Sequence, residues 1–436
     1  MNHDMIDTLD SPRVFDHLVA DILPLMNDEA RTLHKDAQTY TLSFLPFTLN
    51  LFYGIIMGIK SIGLLTTHIR TSPHREAFGL VNASKLMYSE AFGRYSPLIY
   101  RRLFYALLQR LDCLEIPEIK ALGIFYLVDG SVFPAIGSMV WASYTKKANA
   151  IKLHLSFELN RMIPVQFFST HANASEQQTL LKMVEAGITY IADRGYVCFD
   201  VFYTICQKGA HFIIRGKCNH VYEVLDTFVV EIPETWTTLF HDLRDVKITF
   251  ANDNHHGMYR LVSFTVANTF FVLVTNRFDL TTGQIIMLYA YRWPVELIFR
   301  FLKRTLNGIH LMCHSAAGVE IQFLMFMMAY LVLLSFKQEC QRTVDGDPEA
   351  REPHQASLST ADPERSHAVN QAVPHISSAR QGNGTTPIHT GYEFVAVPGK
   401  KLKKYWKIGI HWLTALRNLL LEPFTSKFLK IITCMQ

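Results

Sequence analysis

The spacing of apolar residues changes period along the chain. Residues 1 to about 115 carry it at helical intervals, in "LPFTLNLFYGIIMGIKSIGLL" and "SPLIYRRLFYALLQRL". Between them "NASKLMYSEAFGRYSP" offers Ser84 as an N-cap, with Gly93 and Pro97 as the stop. From about 121 the period shortens. "ALGIFYLVDGSV" is a strand-like run that meets Asp129, and "KLHLSFELNRMIPVQFFST" alternates, with Leu153, Leu155, Phe157 and Leu159 on one face and His154, Ser156 and Glu158 on the other. Asn160-Arg161 marks a hairpin turn. A helix "SEQQTLLKMVEAG" follows, capped by Ser175 and closed by Gly187, then a strand "ITYIADRGY" that ends at Asp193, a helix "VCFDVFYTICQKG" and a strand "HFIIRGK". This order predicts an α/β fold with a sheet of mixed direction. Residues 219 to 280 break the alternation, with "VKITFA" and "YRLVSFTVANTFFVLVTN" reading as antiparallel strands that turn near Asn268-Thr269.

The stretch "YAYRWPVELIFRFLKRTLNG" then returns to a helical pattern. On a continuous helix Tyr289, Arg292, Glu296 and Lys303 fall within about 60° of one another and make a polar stripe. A solvated face has the same spacing, but not Trp293, Ile298 and Phe299 crowding it. Pro294 interrupts the segment, so either a helix starts there or it kinks, and the stripe is secure for Glu296, Arg300 and Lys303.

Asp129 and Asp193 each follow an apolar strand-like run, where side chains face the crevice at the carboxyl ends of strands. A single Asp in that setting is an ordinary turn or cap residue. Two of them with Glu296 arriving from a helix would repel one another unless cations lay among them. Hard oxygen donors suit Mg²⁺ or Mn²⁺, and two such ions serve phosphodiester chemistry.

Composition narrows the class without deciding it. With 436 residues, 49% of them hydrophobic, the chain has material for two or three domains with buried cores. A net charge of +4 is compatible with nucleic acid as partner. Cysteines at 113, 198, 206, 218, 313, 340 and 434 form no CxxC and read as a reducing cytoplasm. No basic n-region precedes an apolar run at the N-terminus. "LNLFYGIIMGIKSIGLL" is interrupted by Lys60, and "IQFLMFMMAYLVLLSF", containing Gln322, is short of the ~20 residues of a span, so both read as buried helices and no membrane is expected. Residues 341 to 398, rich in Pro, Ser, Thr, His and Gln, read as a disordered linker. The lysine-rich tail after it reads as an amphipathic helix, either touching DNA or simply solvated.

The segment matches Tyr-x2-Arg-x3-Glu-x6-Lys in full, and in this it resembles the YREK pattern of insertion-sequence-4 family DDE transposases. "VDGSV", "KANAIKLHLSFEL", "ADRGY" and "FIIRGK" resemble the same family, over roughly 120 to 312. The resemblance implies an RNase H-like catalytic core, split as 116–218 and 281–312, with a β-rich insertion at 219–280. It implies that Asp129, Asp193 and Glu296 bind two Mg²⁺ or Mn²⁺ ions and catalyse cleavage and strand transfer at terminal inverted repeats. Tyr289, Arg292, Arg300, Lys303 and Arg215 would contact DNA, and Trp236 is the candidate for stacking on a flipped base. Around the core stand a helical segment 1–115, read either as a transposon-end DNA-binding domain or as an ordinary helical domain, a C-terminal helix 313–340, the linker and a helical tail 399–436. Double-stranded DNA, a homodimer in a synaptic complex and a bacterial, nucleoid-associated location complete the expectation. A silent DNA-binding derivative and an endonuclease without strand transfer are the alternatives.

Overall fold

A computed structural model describes residues 13–33, 40–72, 75–113, 115–145, 148–345, 410–418 and 420. Helices come first: α1 (Val14–Val19), α2 (Leu23–Thr32), α3 (Phe44–Ile56), α4 (Ile62–Thr71), α5 (Lys85–Arg94), α6 (Pro97–Arg110) and α7 (Pro117–Lys120). Their starts follow local chemistry. The Ser84 hydroxyl accepts from Met87 N to cap α5, and Ser96 caps α6 with Pro97 in its first turn. Gly58, at φ +70°, ends the α3 segment where a side chain is strained.

Ten strands form one sheet among the described residues. They are β1 (Ile124–Ala135), β2 (Ser143–Thr145), β3 (Ala148–Glu158), β4 (Ile163–His171), β5 (Ile188–Ala192), β6 (His211–Arg215), β7 (Tyr222–Thr227), β8 (His241–Phe250), β9 (Met258–Val266) and β10 (Thr269–Thr275). The order is β2-β3-β1-β5-β6-β10-β9-β8-β7, with β4 also on β3. β1, β3 and β4 are antiparallel neighbours, whereas β1, β5 and β6 run parallel, joined through α8 (Glu176–Met183) and α9 (Phe199–Gln207). This is the mixed α/β arrangement that the alternating pattern predicts. The strands of the 219–280 stretch do not make a sheet of their own: β10 pairs with β6 and carries the sheet outward. The β9–β10 turn lies at Ala267-Asn268, both with positive φ, the geometry of a two-residue primed hairpin.

The alternation in β3 does not separate core from solvent. His154, Ser156 and Glu158 are as buried as the leucines opposite them. Each has a partner: His154 with Thr170, Ser156 with the Met183 sulfur, and Glu158 with Arg161 through two bonds of 2.7 and 2.8 Å. Helices cover both faces of this part of the sheet, so its polar positions survive by pairing, apart from His154 Nδ1, which is buried without a partner.

After the sheet come α10 (Thr282–Ala290), α11 (Trp293–Arg300) and α12 (Ala316–Asp345). α12 is long and apolar enough to cross a membrane by length and composition alone, but 89% of its most apolar window is buried inside the protein. It lies under the sheet, with Phe323 edge-on to Phe133 of β1 and the Tyr330 hydroxyl donating to Met162 O. Gln322 fits this apolar helix because its amide donates to His310 O and accepts from Met312 N. The linker is read from 341, but residues 341–345 still belong to α12, and 346–398 lie outside the described residues. Of the tail, α13 (Ile410–Asn418) and Leu420 are described. Leu413, Leu416 and Leu420 are fully buried, so this part is docked in the core rather than solvated.

Candidate active site

The parallel pairing of β1 with β5 sets the site. Its register runs from Ile124 opposite Ile188 to Leu127 opposite Ile191, a constant offset of 64 residues. Asp129 and Asp193 share that offset (193 − 129 = 64), so they follow at one level where the pairing stops. Asp193 lies just past β5 and caps the short 3₁₀ turn Arg194–Tyr196. Asp129 is not at a strand end, contrary to the sequence reading. β1 continues to Ala135 along β3, with Asp129 opposite Leu155. The crevice opens because β5 ends first.

Each aspartate is fixed by its own backbone turn. Asp129 Oδ1 accepts from Gly130 N at 2.8 Å, and Asp193 Oδ1 accepts from Gly195 N at 2.8 Å. Burial, reinforced by Asp193 and Glu176, pushes the Asp129 carboxyl up to about 6, against the opposing pull of Gly130 N–H and Arg292.

The YREK residues do not form one helical stripe. Tyr289 is near the end of α10, Arg292 is in the break, Glu296 and Arg300 are on α11, and Lys303 is in a π-helical turn, Phe301–Thr305. Pro294 sits in the first turn of α11, where its missing N–H costs nothing. The break and the wider π-turn alter the phase that a continuous helix would have. Four of these residues nonetheless reach the aspartates or the groups around them. Arg292 donates to Glu296 Oε1 at 2.5 Å and stands 3.8 Å from Asp129 Oδ2. Lys303 Nζ donates to Ser131 Oγ at 2.7 Å and feels the charge of Asp129. Burial lowers the Lys303 pKa, with Asp129 opposing. Tyr289 is buried, and burial raises its phenol above the ordinary value while Arg292 and Arg215 pull it down. Arg215, at the end of β6, stacks on the Phe271 ring at 4.2 Å.

Two candidates differ from this group. Arg300 is exposed and has no ion pair described. Trp236 is buried against Phe240, in a 3₁₀ turn Glu234–Trp236, and belongs to the core. With 7% of its surface exposed, Trp236 is packed inside the DNA-free protein rather than presented for stacking.

Three residues beside the aspartates went unread in the sequence: Ser131, Lys152 and Glu176. Lys152 and Glu176 form an ion pair of 3.0 Å, half-buried at 15% and 26% side-chain exposure. A signal for Glu176 was present in the glycine that follows each aspartate, since glycine marks places of close approach.

Among the described residues no group of three or more His, Cys, Asp or Glu side chains is gathered tightly enough to hold a metal ion. The donors nevertheless suit a divalent cation. The charge of Asp193 acts on the Asp129 carboxyl, and Arg292 is the cation lying between Asp129 and Glu296.

Residues 121–332 match the family model of the transposase DDE domain. The chain carries a transposase DDE domain. It is 25% identical over 248 residues to a putative transposase, y4zB, of Sinorhizobium fredii, covering 56% of this chain and 69% of that protein. It is 25% identical over 197 residues to a probable transposase for insertion sequence element IS5377 of Geobacillus stearothermophilus, covering 44% and 51%. A putative transposase for insertion sequence element IS4SA of Synechocystis is 24% identical over 267 residues, covering 56% and 70%. These likenesses agree with the insertion-sequence-4 resemblance of the YREK segment and support a DDE transposase domain over residues 121–332.

Proposed function

We propose that the protein is a DDE transposase that cleaves DNA at the terminal inverted repeats of an insertion sequence and transfers the freed strand. The observation that carries the reading is the register of Asp129 and Asp193 on neighbouring parallel strands, with Glu296 linked to Asp129 through Arg292. The strand order β4-β3-β1-β5-β6, three antiparallel strands followed by two parallel ones, supports an RNase H-like core.

Asp129, Asp193 and Glu296 would hold two Mg²⁺ or Mn²⁺ ions, which when bound supply Lewis acidity for water activation and stabilisation of the leaving oxygen. Around them the chain's own residues position the DNA. Arg292 has its guanidinium between two carboxylates, so a phosphate entering the crevice competes for the same donors. Lys303 is anchored on Ser131 beside Asp129, which directs its charge at the same phosphate. Tyr289, protonated at neutral pH like any phenol and more firmly so because of its burial, acts as a hydroxyl donor. Arg300 and Arg215 contact the flanking backbone, as positioning contacts rather than base readers. The partner is double-stranded DNA, and the reading includes two copies acting on two ends.

The test uses DNA bearing the terminal repeats that flank the protein's own gene, with wild type and Glu296→Gln compared in Mg²⁺ and in Ca²⁺. Cleavage at the repeat boundary by wild type in Mg²⁺, lost in the variant while binding persists, is the expected result. Binding without cleavage by wild type would favour a silent DNA-binding derivative. Cleavage with no joined product would leave an endonuclease.

A further inference from the structure

Two glycines close to the aspartates face the same carboxylate. A Cβ on Gly130, directly after Asp129, would come 3.0 Å from Glu176 Oε1 and 3.4 Å from the Lys152 stem. A Cβ on Gly195, two residues after Asp193, would come 2.8 Å from Glu176 Oε2 and 3.1 Å from Asp193 Oδ1. Neither glycine has a positive φ, so backbone freedom does not account for them. Space for Glu176 does.

Glu176 is in turn held from two sides. It is the first residue of α8, after the Ser175 cap, where a helix favours negative charge. Its Oε1 accepts from Lys152 Nζ at 3.0 Å, and Lys152 stands on β3 opposite Val132 of β1. A helix-capping role alone explains an acid at this position but not the two glycines that line it. A solvated ion pair alone explains Lys152 but not its 15% exposure.

We propose that Glu176 is a positioning residue for the aspartate pair. Anchored to β3 through Lys152, its two oxygens fill the space over Gly130 and Gly195 and fix the spacing of the turns that aim Asp129 and Asp193. Its charge adds to the field around a bound cation without replacing either aspartate. The proposal rests on the reading of Asp129 and Asp193 as cation ligands.

The full chain without DNA is titrated with Mn²⁺, free ion is followed by electron paramagnetic resonance, and each variant's melting temperature is recorded. Glu176→Gln is expected to keep the number of bound ions and the melting temperature while raising the half-saturating Mn²⁺ by about 10–100-fold, the usual effect of losing an outer-shell partner. Lys152→Met, which removes the Nζ that anchors the same carboxylate, is expected to shift the titration the same way. If Glu176→Gln does not fold, Lys152→Met decides alone. Wild-type titrations for both variants would overturn the proposal, and so would loss of an entire ion in Glu176→Gln, which would make Glu176 a ligand. Asp129→Asn and Asp193→Asn separate the two levels. If they bind Mn²⁺ as wild type does, the ligand reading itself fails and takes this proposal with it. If they lose binding while both Glu176→Gln and Lys152→Met titrate as wild type, only the positioning role fails.

Discussion

At neutral pH the Asp129 carboxylate is ionised in surroundings that disfavour its charge. Its pKa rises from the ordinary 3.8 to about 6, burial first and then Asp193 and Glu176 as causes. The folded state therefore holds a proton more tightly than the unfolded chain does. The stability this gives is present below about pH 4 and is lost as the pH rises through 6, so charged Asp129 costs roughly 3 kcal/mol at neutral pH. Asp129→Asn is expected to raise the melting temperature of the metal-free protein at pH 7.5, with the advantage shrinking to nothing near pH 4. An unchanged or lower melting temperature at pH 7.5 would contradict this. At this scale the sequence was informative about Asp129, Asp193 and Glu296, because each stood out chemically against apolar neighbours. It was silent on Glu176 and Lys152, whose meeting depends on the approach of α8 to β3, a contact without local periodicity. Trp236 misled because a lone Trp in a polar stretch looks exposed, and only the packing of Phe240 reveals otherwise.

At the scale of elements, the 219–280 strands hold the helix that begins the YREK segment. Arg260 on β9 pairs with Asp245 on β8 at 2.7 Å, both buried, and Thr282 at the start of α10 donates to the same Asp245 carboxylate at 2.7 Å. Arg260→Met removes the only cation paired with that carboxylate among the described residues, and is expected to cost about 3–5 kcal/mol in a denaturant melt. A loss below about 1 kcal/mol would show that the pair is not what secures α10. A second tie joins the π-turn to the helices before the sheet. Arg417 of α13 donates to Ile56 O and to Thr305 O, with Gly58 directly beneath it. Gly58→Ala would put a Cβ 2.7 Å from Arg417 Nη2 at φ +70°, and is expected to destabilise by about 1–3 kcal/mol. Thermal melts of the two single variants and the double with Arg417→Met check it. If the clash is with Arg417, the penalty of Gly58→Ala shrinks in that background, and an unchanged penalty would assign it to backbone strain and to Asn307 Nδ2, 3.0 Å from the same Cβ. Strands and helices were legible from period and caps, since Ser84, Ser175 and Pro97 act locally, although α8 ends at Met183, before the Gly187 read as its close. The break before α11 was legible in Pro294, whereas the joining of β10 to β6 and the docking of α13 were not, because each is decided by contacts distant in sequence.

For the whole molecule, a site made of mutually repelling acids implies that cation binding and stability are linked. Saturating Mn²⁺, at about 100 times its dissociation constant, is expected to add roughly 2.7 kcal/mol to the wild-type fold. Removal by a chelator should reverse the gain, and Asp193→Asn should abolish it. No change in melting temperature on adding Mn²⁺ to wild type would argue against a site in the DNA-free protein. The central claim is that Asp129, Asp193 and Glu296 act as one unit, although they come from a strand, a 3₁₀ turn and a helix, and although Glu296 is engaged by Arg292. The most direct measurement is the rate of Mg²⁺-dependent cleavage of repeat-end DNA by Asp129→Asn, Asp193→Asn, Glu296→Gln and the double variant Asp129→Asn/Glu296→Gln. Each single change is expected to reduce the rate by at least ~10³-fold, and the double to be no slower than the singles, as groups that work as a unit behave. A single variant that keeps near wild-type cleavage, or a double whose losses multiply, would contradict the account.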